Sequence, residues 1–396
     1  MSRRYGSVAY GGLDVHQKFS AVTLRDEAGR VVVRERLEHE DRGRLRAQVG
    51  RWPRGTALVL EASFGWGWLS DELEAAGMEV HLSNCHKVEK MRQARGQAKT
   101  NRQDADLVSL LPAEASRWWE VWRAPAAVRD RREWLRHRAD LVALQTATKN
   151  RIHALCHRQG VYPGLKSLFG GRGRQFLLEL AATGRHAGGP LAEGARAALQ
   201  GQLRVLFELR DELAWIAGEL RKQLEGSAEV RRLKTVPGFG LILSHVLVSE
   251  IGQIERFGSH KALASYAGLG PQSRDTGEED PSRSPLGRRL PRRCQRTLKW
   301  AFIEAARGAV RKGGRWRELH DRVTQGGTKD RQRGYIKVAR ELVKVVFAVW
   351  RKQVDYQESP PARPGSPEAR ARRGGRNSRS GTGQLKHPMV PAAEGR

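Results

Sequence analysis

Over the first 125 residues the apolar positions fall into short runs broken by polar turns, interleaved with stretches of helical spacing. Ser7–Asp14 is a short apolar run that ends in an acid. Phe19–Arg25 and Arg30–Leu37 follow, with the turn signal Asp26-Glu27-Ala28-Gly29 between them. Three strands joined by short links predict an antiparallel meander. Next come a polar helix over about Asp41–Trp52, a strand Ala57–Glu61, and a helix Trp66–Ala76 that stops at Gly77. A strand Glu79–Ser83 and helical stretches over about Cys85–Arg95 and Asn101–Glu114 complete the series. Strands alternating with helices after a meander predict a mixed sheet with helices packed on it.

From about residue 126 to 228 the strand signal disappears. Trp134, His137, Leu141, Leu144, Thr148 and Leu155 step by threes and fours, as do Leu206, Leu209, Leu213, Ile216, Leu220 and Leu224. Two such stripes, separated by a Gly-rich link near Gly170–Gly189, predict long helices that pair as a coiled coil, within one chain or between two. A third region, 229–356, is helical with Gly and Pro punctuation. Beyond Gln357 the chain turns to Pro, Gly, Ser and Arg with almost no large apolar residue, which predicts a disordered basic tail over 357–396.

Composition narrows the function. The 396 residues carry 72 Lys+Arg against 43 Asp+Glu, a net charge of +29, while 39% are hydrophobic. That is a globular composition with a basic excess, which points to a polyanion partner, nucleic acid first. No stretch approaches the roughly 18 apolar residues of a membrane span, and the N-terminal residues lack a signal-peptide core. Three distant cysteines, Cys85, Cys156 and Cys294, argue against a disulfide scaffold or a Cys-based zinc site and for a reducing, cytoplasmic setting; with a nucleic-acid partner, the matching expectation is association with the nucleoid.

Candidate chemistry begins with the acids. Gly12-Leu13-Asp14 and Leu58-Val59-Leu60-Glu61 each place a carboxylate where an apolar strand ends. Asn101-Arg102-Gln103-Asp104-Ala105-Asp106 opens a helix. Asn101 and Asp104, three apart, share a helix face, whereas Asp106 lies about 200° from Asp104 and faces elsewhere. Acids converging from two strands and a helix are what a Mg²⁺ site for phosphodiester chemistry requires. The plainer reading is also open: an acid at a strand end is ordinarily solvated or capping, and Asp104 suits the positive end of its helix. An RNase H-like α/β layer fits the element order, as do other α/β folds. His16 and His86 lie near the predicted metal edge as supporting residues, and Trp66, Trp68, Trp118, Trp119 and Trp122 read mainly as packing residues.

GLDVHQKFSAVTL, LEASFGWGWLSDEL and KTNRQDA, in this order and spacing, resemble the DEDD-type insertion-sequence transposases, the bridge-RNA-guided recombinases that include the Piv-type DNA invertases. The resemblance implies a RuvC-like first domain over 1–125 that binds Mg²⁺ through an Asp, a Glu and two Asp. Asp14 and Glu61 match, Asp104 matches the fourth acid, and the third falls on Asn101, which brings an oxygen but no charge. Lys99 and Arg102 flank this segment as nucleic-acid contacts. The resemblance further implies a non-coding guide RNA, element-end and target DNA as partners, and a homodimer or homotetramer.

The C-terminal domain, 229–356, carries Val236-Pro237-Gly238-Phe239-Gly240 ahead of an apolar helix. This PGxG turn has the look of a helix-hairpin-helix, in which Gly238 and Gly240 present backbone N–H groups to a phosphate. The run onward to Ala267-Gly268-Leu269-Gly270-Pro271 resembles the second domain of the same transposases. That family's nucleophile is a serine shortly after this run, and its place here is held by Thr276. Ser273 is an alternative, and a plain Asp275-Thr276-Gly277 turn is another. Arg288, Arg289, Arg292 and Arg293 then form a dense basic run beside Trp300, suited to neutralising phosphate. Other readings of the whole are a metal-dependent nuclease or junction resolvase without a guide, and a transposase-derived nucleic-acid binder without activity.

Overall fold

A computed structural model describes residues 5–96, 100–114, 116, 119–270, 290–291, 294–328 and 330–358. They form two compact units, Met1–Arg210 and Asp211–Arg396.

The first unit is built on a six-stranded sheet of order β3-β2-β1-β4-β5-β6. β1 (Tyr10–Val15), β2 (Phe19–Arg25) and β3 (Val31–Glu38) form the antiparallel meander. β1 also pairs in parallel with β4 (Ala57–Glu61), which pairs in parallel with β5 (Glu79–Ser83). β6 (Glu120–Val121) closes the edge antiparallel to β5. Leu58, Val59 and Leu60 are all fully buried, as a central strand covered on both faces requires. Leu58 and Leu60 join Leu13 and Leu24 in a core completed by α1 (Arg42–Val49) and α2 (Trp66–Ala75), through Leu45, Val49, Leu69 and Leu73. Val59 points the other way, to a second core with Val88 of α3 (Cys85–Ala94), Leu107 and Val108 of α4 (Asn101–Val108), and Trp119. The arrangement is compatible with the RNase H-like layer.

Two expectations shift. The first strand begins at Tyr10, later than expected, and runs on through Asp14 to Val15. The helix expected over Asn101–Glu114 stops at Val108, and a 3₁₀ turn Leu111–Ala113 follows. Pro112 has no N–H to bond the Val108 carbonyl and disfavours the α conformation at Leu111, so the α-helix gives way to the 3₁₀ turn.

Past the sheet, α5 (Ala126–Arg158), α6 (Gly171–Thr183) and α7 (Glu193–Glu225) follow. Ile152 and Leu155 of α5, Leu177 and Leu180 of α6, and Leu199, Leu203 and Leu206 of α7 pack into one core. The region is not free of strands: β7 (Arg185–His186) and β8 (Gly189–Pro190) make a two-residue ladder. Gly184 at φ 70° ends α6 and turns the chain into it, at no steric cost to a residue without Cβ.

The second unit holds α8 (Ala228–Thr235), α9 (Leu241–Ile251), α10 (His260–Tyr266), α11 (Arg296–Lys312), α12 (Gly314–Thr324) and α13 (Arg331–Lys352). α13 buries Val338, Leu342, Val343, Val346 and Val349 along one stripe. Phe239 meets Phe302 edge to face, with ring centroids 5.8 Å apart. The tail beyond residue 358 lies outside the described residues.

Candidate active site

The β1–β4 register pairs Leu13 with Leu60. Asp14 and Glu61 are the next residue on each strand, so they stand side by side at the carboxyl ends of two adjacent parallel strands, where open α/β sheets place their chemistry. Each follows fully buried leucines that fix the strand beneath it. Asp14 Oδ2 lies 2.9 Å from His16 Nε2, and the His16 ring rests 4.8 Å from that of Phe19. His16 is thus a supporting partner of the first acid.

The third acid arrives by helix docking. Thr100 caps α4 by accepting from the Gln103 N–H at 3.2 Å, and Asp104 sits in the first turn. Gly12 of β1 lies directly beneath α4: a Cβ there would come within 2.3 Å of Ser109 N. Asp106 faces away from Asp104, as its spacing predicts. It accepts from Thr23 Oγ1 at 2.8 Å and from both arms of Arg34 at 2.9 and 3.0 Å. Burial alone would raise the Asp106 pKa, but the hydrogen bonds from Arg34 and Thr23 outweigh it and hold the carboxyl below its ordinary range. Arg25 completes the anchor, donating through Nε to Ser109 Oγ at 2.8 Å. Asn101 is exposed and lines a shallow groove with Arg102, Phe19, Arg34 and Arg36.

A row that the sequence reading missed approaches the acids from α3. Asn84 caps this helix by accepting from the His86 and Lys87 N–H groups. Cys85, Glu89 and Arg92 then follow at spacings of four and three, on one face. The Cys85 thiol is pushed up to about 11, by burial first and then by the Glu61 charge, so it stays protonated at neutral pH. Arg92 donates through Nε to Glu89 Oε2 at 3.0 Å, and the same Nε lies 3.9 Å from Asp104 Oδ1. Its hydrogen bond to Glu89 comes first, and the charges of Glu89, Asp104 and Glu61 add to it, in holding its proton more firmly than in water. The i, i+3 and i, i+4 spacing beside a predicted sheet edge was the available signal.

Asp14, Glu61 and Asp104 offer hard carboxylate oxygens of the kind a divalent cation takes, and the Arg92 guanidinium lies near Asp104 and feels the Glu61 charge, so positive charge is accommodated there. The donor chemistry fits. The side chains are not drawn together around one point: among the described residues, no three His, Cys, Asp or Glu side chains are placed to hold a metal ion.

Two family models match the chain, a DEDD transposase model of the IS110 type over residues 11–159 and the transposase IS116/IS110/IS902 family over residues 230–321. The chain belongs to the IS110 family of DEDD transposases. It is similar to the insertion element IS116 uncharacterized 44.8 kDa protein of Streptomyces clavuligerus, at 24% identity over 87% of this chain and 91% of the relative. It is also similar to the insertion element IS110 uncharacterized 43.6 kDa protein of Streptomyces coelicolor, at 31% identity over 33% of this chain and 31% of the relative. The family is one of enzymes that cut and rejoin DNA. No helix among the described residues of the transposase is long and apolar enough to cross a membrane.

In its second unit the transposase uses the PGxG turn between α8 and α9 in two ways. Gly238 has φ 91°, and a Cβ there would fall 2.0 Å from the Ala305 carbonyl oxygen, so this glycine permits close packing on α11. Gly240 precedes α9, which has no side-chain cap, and a Cβ there would meet nothing within 4 Å. Thr276, Ser273, Lys99, Arg288, Arg289, Arg292 and Arg293 lie outside the described residues. One bond joins the two flanks of the segment bearing Thr276: Gln295 N donates to Tyr266 O at 3.1 Å. Lys299 Nζ donates to Pro291 O at 3.0 Å within the downstream flank, and Arg340 Nε of α13 holds the upstream flank by donating to Leu269 O at 2.6 Å. Cys294 packs against Gly268, where any side chain would collide with it.

Proposed function

We propose that this transposase moves an insertion element by site-specific strand exchange, in which a hydroxyl of the second unit attacks a DNA phosphodiester activated at the acid edge of the first. What supports the reading is that Asp14 and Glu61 end adjacent parallel strands, and that Asp104, in the first turn of an α4 packed on β1, lies 3.9 Å from an Arg92 on which the Glu61 charge also acts. Asp14, Glu61 and Asp104, with Asn101 as a neutral donor, would hold Mg²⁺, which supplies charge stabilisation of the phosphate oxygens. His16 orients Asp14. Thr276 is the favoured nucleophile: its hydroxyl oxygen bonds to phosphorus as its proton is lost, the DNA 3′ or 5′ oxygen leaves with the electron pair and takes up a proton, and the energy of the phosphodiester is kept for rejoining.

The long α5–α7 helices would support a coiled-coil dimer or tetramer, Arg102 and the arginines before α11 would bind phosphate, and a non-coding RNA would choose the DNA sites. The last assignment follows the resemblance alone.

Element excision and strand exchange in cells, followed by sequencing of the junctions, tests the reading. Asp14→Asn, Glu61→Gln, Asp104→Asn and Thr276→Ala should each lose at least about 100-fold of the product, the scale at which catalytic groups act, while Thr276→Ser retains it. Cleavage that survives Thr276→Ala but not Asp14→Asn would indicate a nuclease instead. Wild-type levels of exchange in Asp14→Asn would sink the acid edge as the reacting site.

A further inference from the structure

The acids of the proposed site share their surroundings with a cation supplied by the chain. Arg92 reaches in from α3 with a side chain only 14% exposed, against an Asp104 equally enclosed. Its Nε donates to Glu89 three residues earlier and lies 3.9 Å from Asp104, and the Glu61 charge acts on it as well. Glu89 is in turn held by Gln93 Nε2 at 2.8 Å, so the carboxylate that receives the guanidinium is itself positioned. The charges of Asp104 and Glu61 both act on Arg92, so this end of the sheet favours any cation that reaches it. A divalent ion and a guanidinium therefore seek the same oxygens. They cannot both sit against Asp104, because two positive centres within a few ångströms in a partly dehydrated site repel strongly.

We propose that Arg92, held in place by Glu89, is a built-in counter-charge beside Asp104 and competes electrostatically with a divalent cation for that carboxylate. Arg92 is a positioning residue in this scheme. It rests on the reading of Asp14, Glu61 and Asp104 as the metal site, and sets the cation concentration at which that site fills.

The test is Mn²⁺ binding to the full-length protein, followed by the electron paramagnetic resonance of the free ion, together with thermal unfolding in EDTA and in Mn²⁺. Removing one nearby positive charge should tighten binding about tenfold in Arg92→Gln. Arg92→Lys, which keeps the charge, should bind within about threefold of wild type. Arg92→Gln should also unfold at a lower temperature than wild type in EDTA and recover in Mn²⁺, since the ion then does the neutralising. A second measurement needs no variant: the Arg92 ¹⁵Nε resonance of the wild-type protein should shift during Mg²⁺ titration with the same midpoint as binding. Binding to Arg92→Gln that is equal to or weaker than wild type, or an Arg92 signal indifferent to Mg²⁺, overturns the competition while leaving the metal site intact. Failure of both wild type and Arg92→Gln to bind Mn²⁺ overturns the competition and the metal site together.

Discussion

Asp104 and Asp106 stand two residues apart on the same helix, and α-helical geometry turns them to different neighbours: Asp104 to Arg92 and the acid edge, Asp106 to Thr23 and Arg34. Asp106 therefore belongs to the anchor of α4. Replacing it by alanine removes three charge-assisted hydrogen bonds, two of them from a guanidinium, and should cost about 2 kcal/mol of stability in urea unfolding. The pH dependence has a definite sign. Its folded pKa is depressed, so its contribution is complete above the ordinary aspartate value near 4 and is lost as pH falls through the lower folded value. The stability gap between wild type and Asp106→Ala should accordingly be constant at neutral pH and narrow below about pH 4. A gap that widened there would contradict the assignment. The acids themselves were legible from their sequence positions, since an apolar run that ends in Asp or Glu announces a carboxylate at a strand end. Arg92 and Glu89 were not, because a charged pair three apart on a polar helix looks the same on a solvated face as beside the carboxylates of a sheet edge.

At the scale of elements, glycine fixes two close approaches. Gly12 lets α4 settle on β1, and Gly238 lets the α8–α9 turn settle on α11 beside Gly308. Gly12→Ala forces α4 away from the strand that carries Asp14, since the new Cβ meets backbone that cannot rotate aside. The expected cost is about 1–3 kcal/mol in chemical denaturation, with DNA cleavage falling more than the loss of folded protein accounts for. Unchanged cleavage per folded molecule would mean that Asp104 tolerates a displaced helix. The strands Phe19–Arg25, Ala57–Glu61 and Glu79–Ser83 fall where periodicity puts them, because alternation and buried runs are local signals. The early stop of α4 also had a local cause in Pro112. The β7–β8 ladder did not: two-residue strands carry no periodicity, and only the neighbouring turn brings them together.

Over the whole molecule, a net charge of +29 predicts binding dominated by phosphate contacts. Affinity for a duplex of arbitrary sequence, followed by fluorescence anisotropy, should fall about a thousandfold between about 50 and 200 mM salt. A change below about tenfold would remove bulk electrostatics as the source of affinity. The sequence alone determined the strand–helix order, the long helices after the sheet, the basic character and the identities of the acids. Each of these is written in residues near one another along the chain, or in composition, which has no geometry. Tertiary structure decided what lies beside what. Pairing of β1 with β4 sets Asp14 next to Glu61, 47 positions apart by their numbering. Packing of α4 over Gly12 delivers Asp104, and the register of α3 turns Arg92 rather than a neighbouring residue toward the carboxylates. These depend on sheet register and helix rotation, which are fixed by the mutual burial of two cores on opposite faces of the sheet and by no single segment.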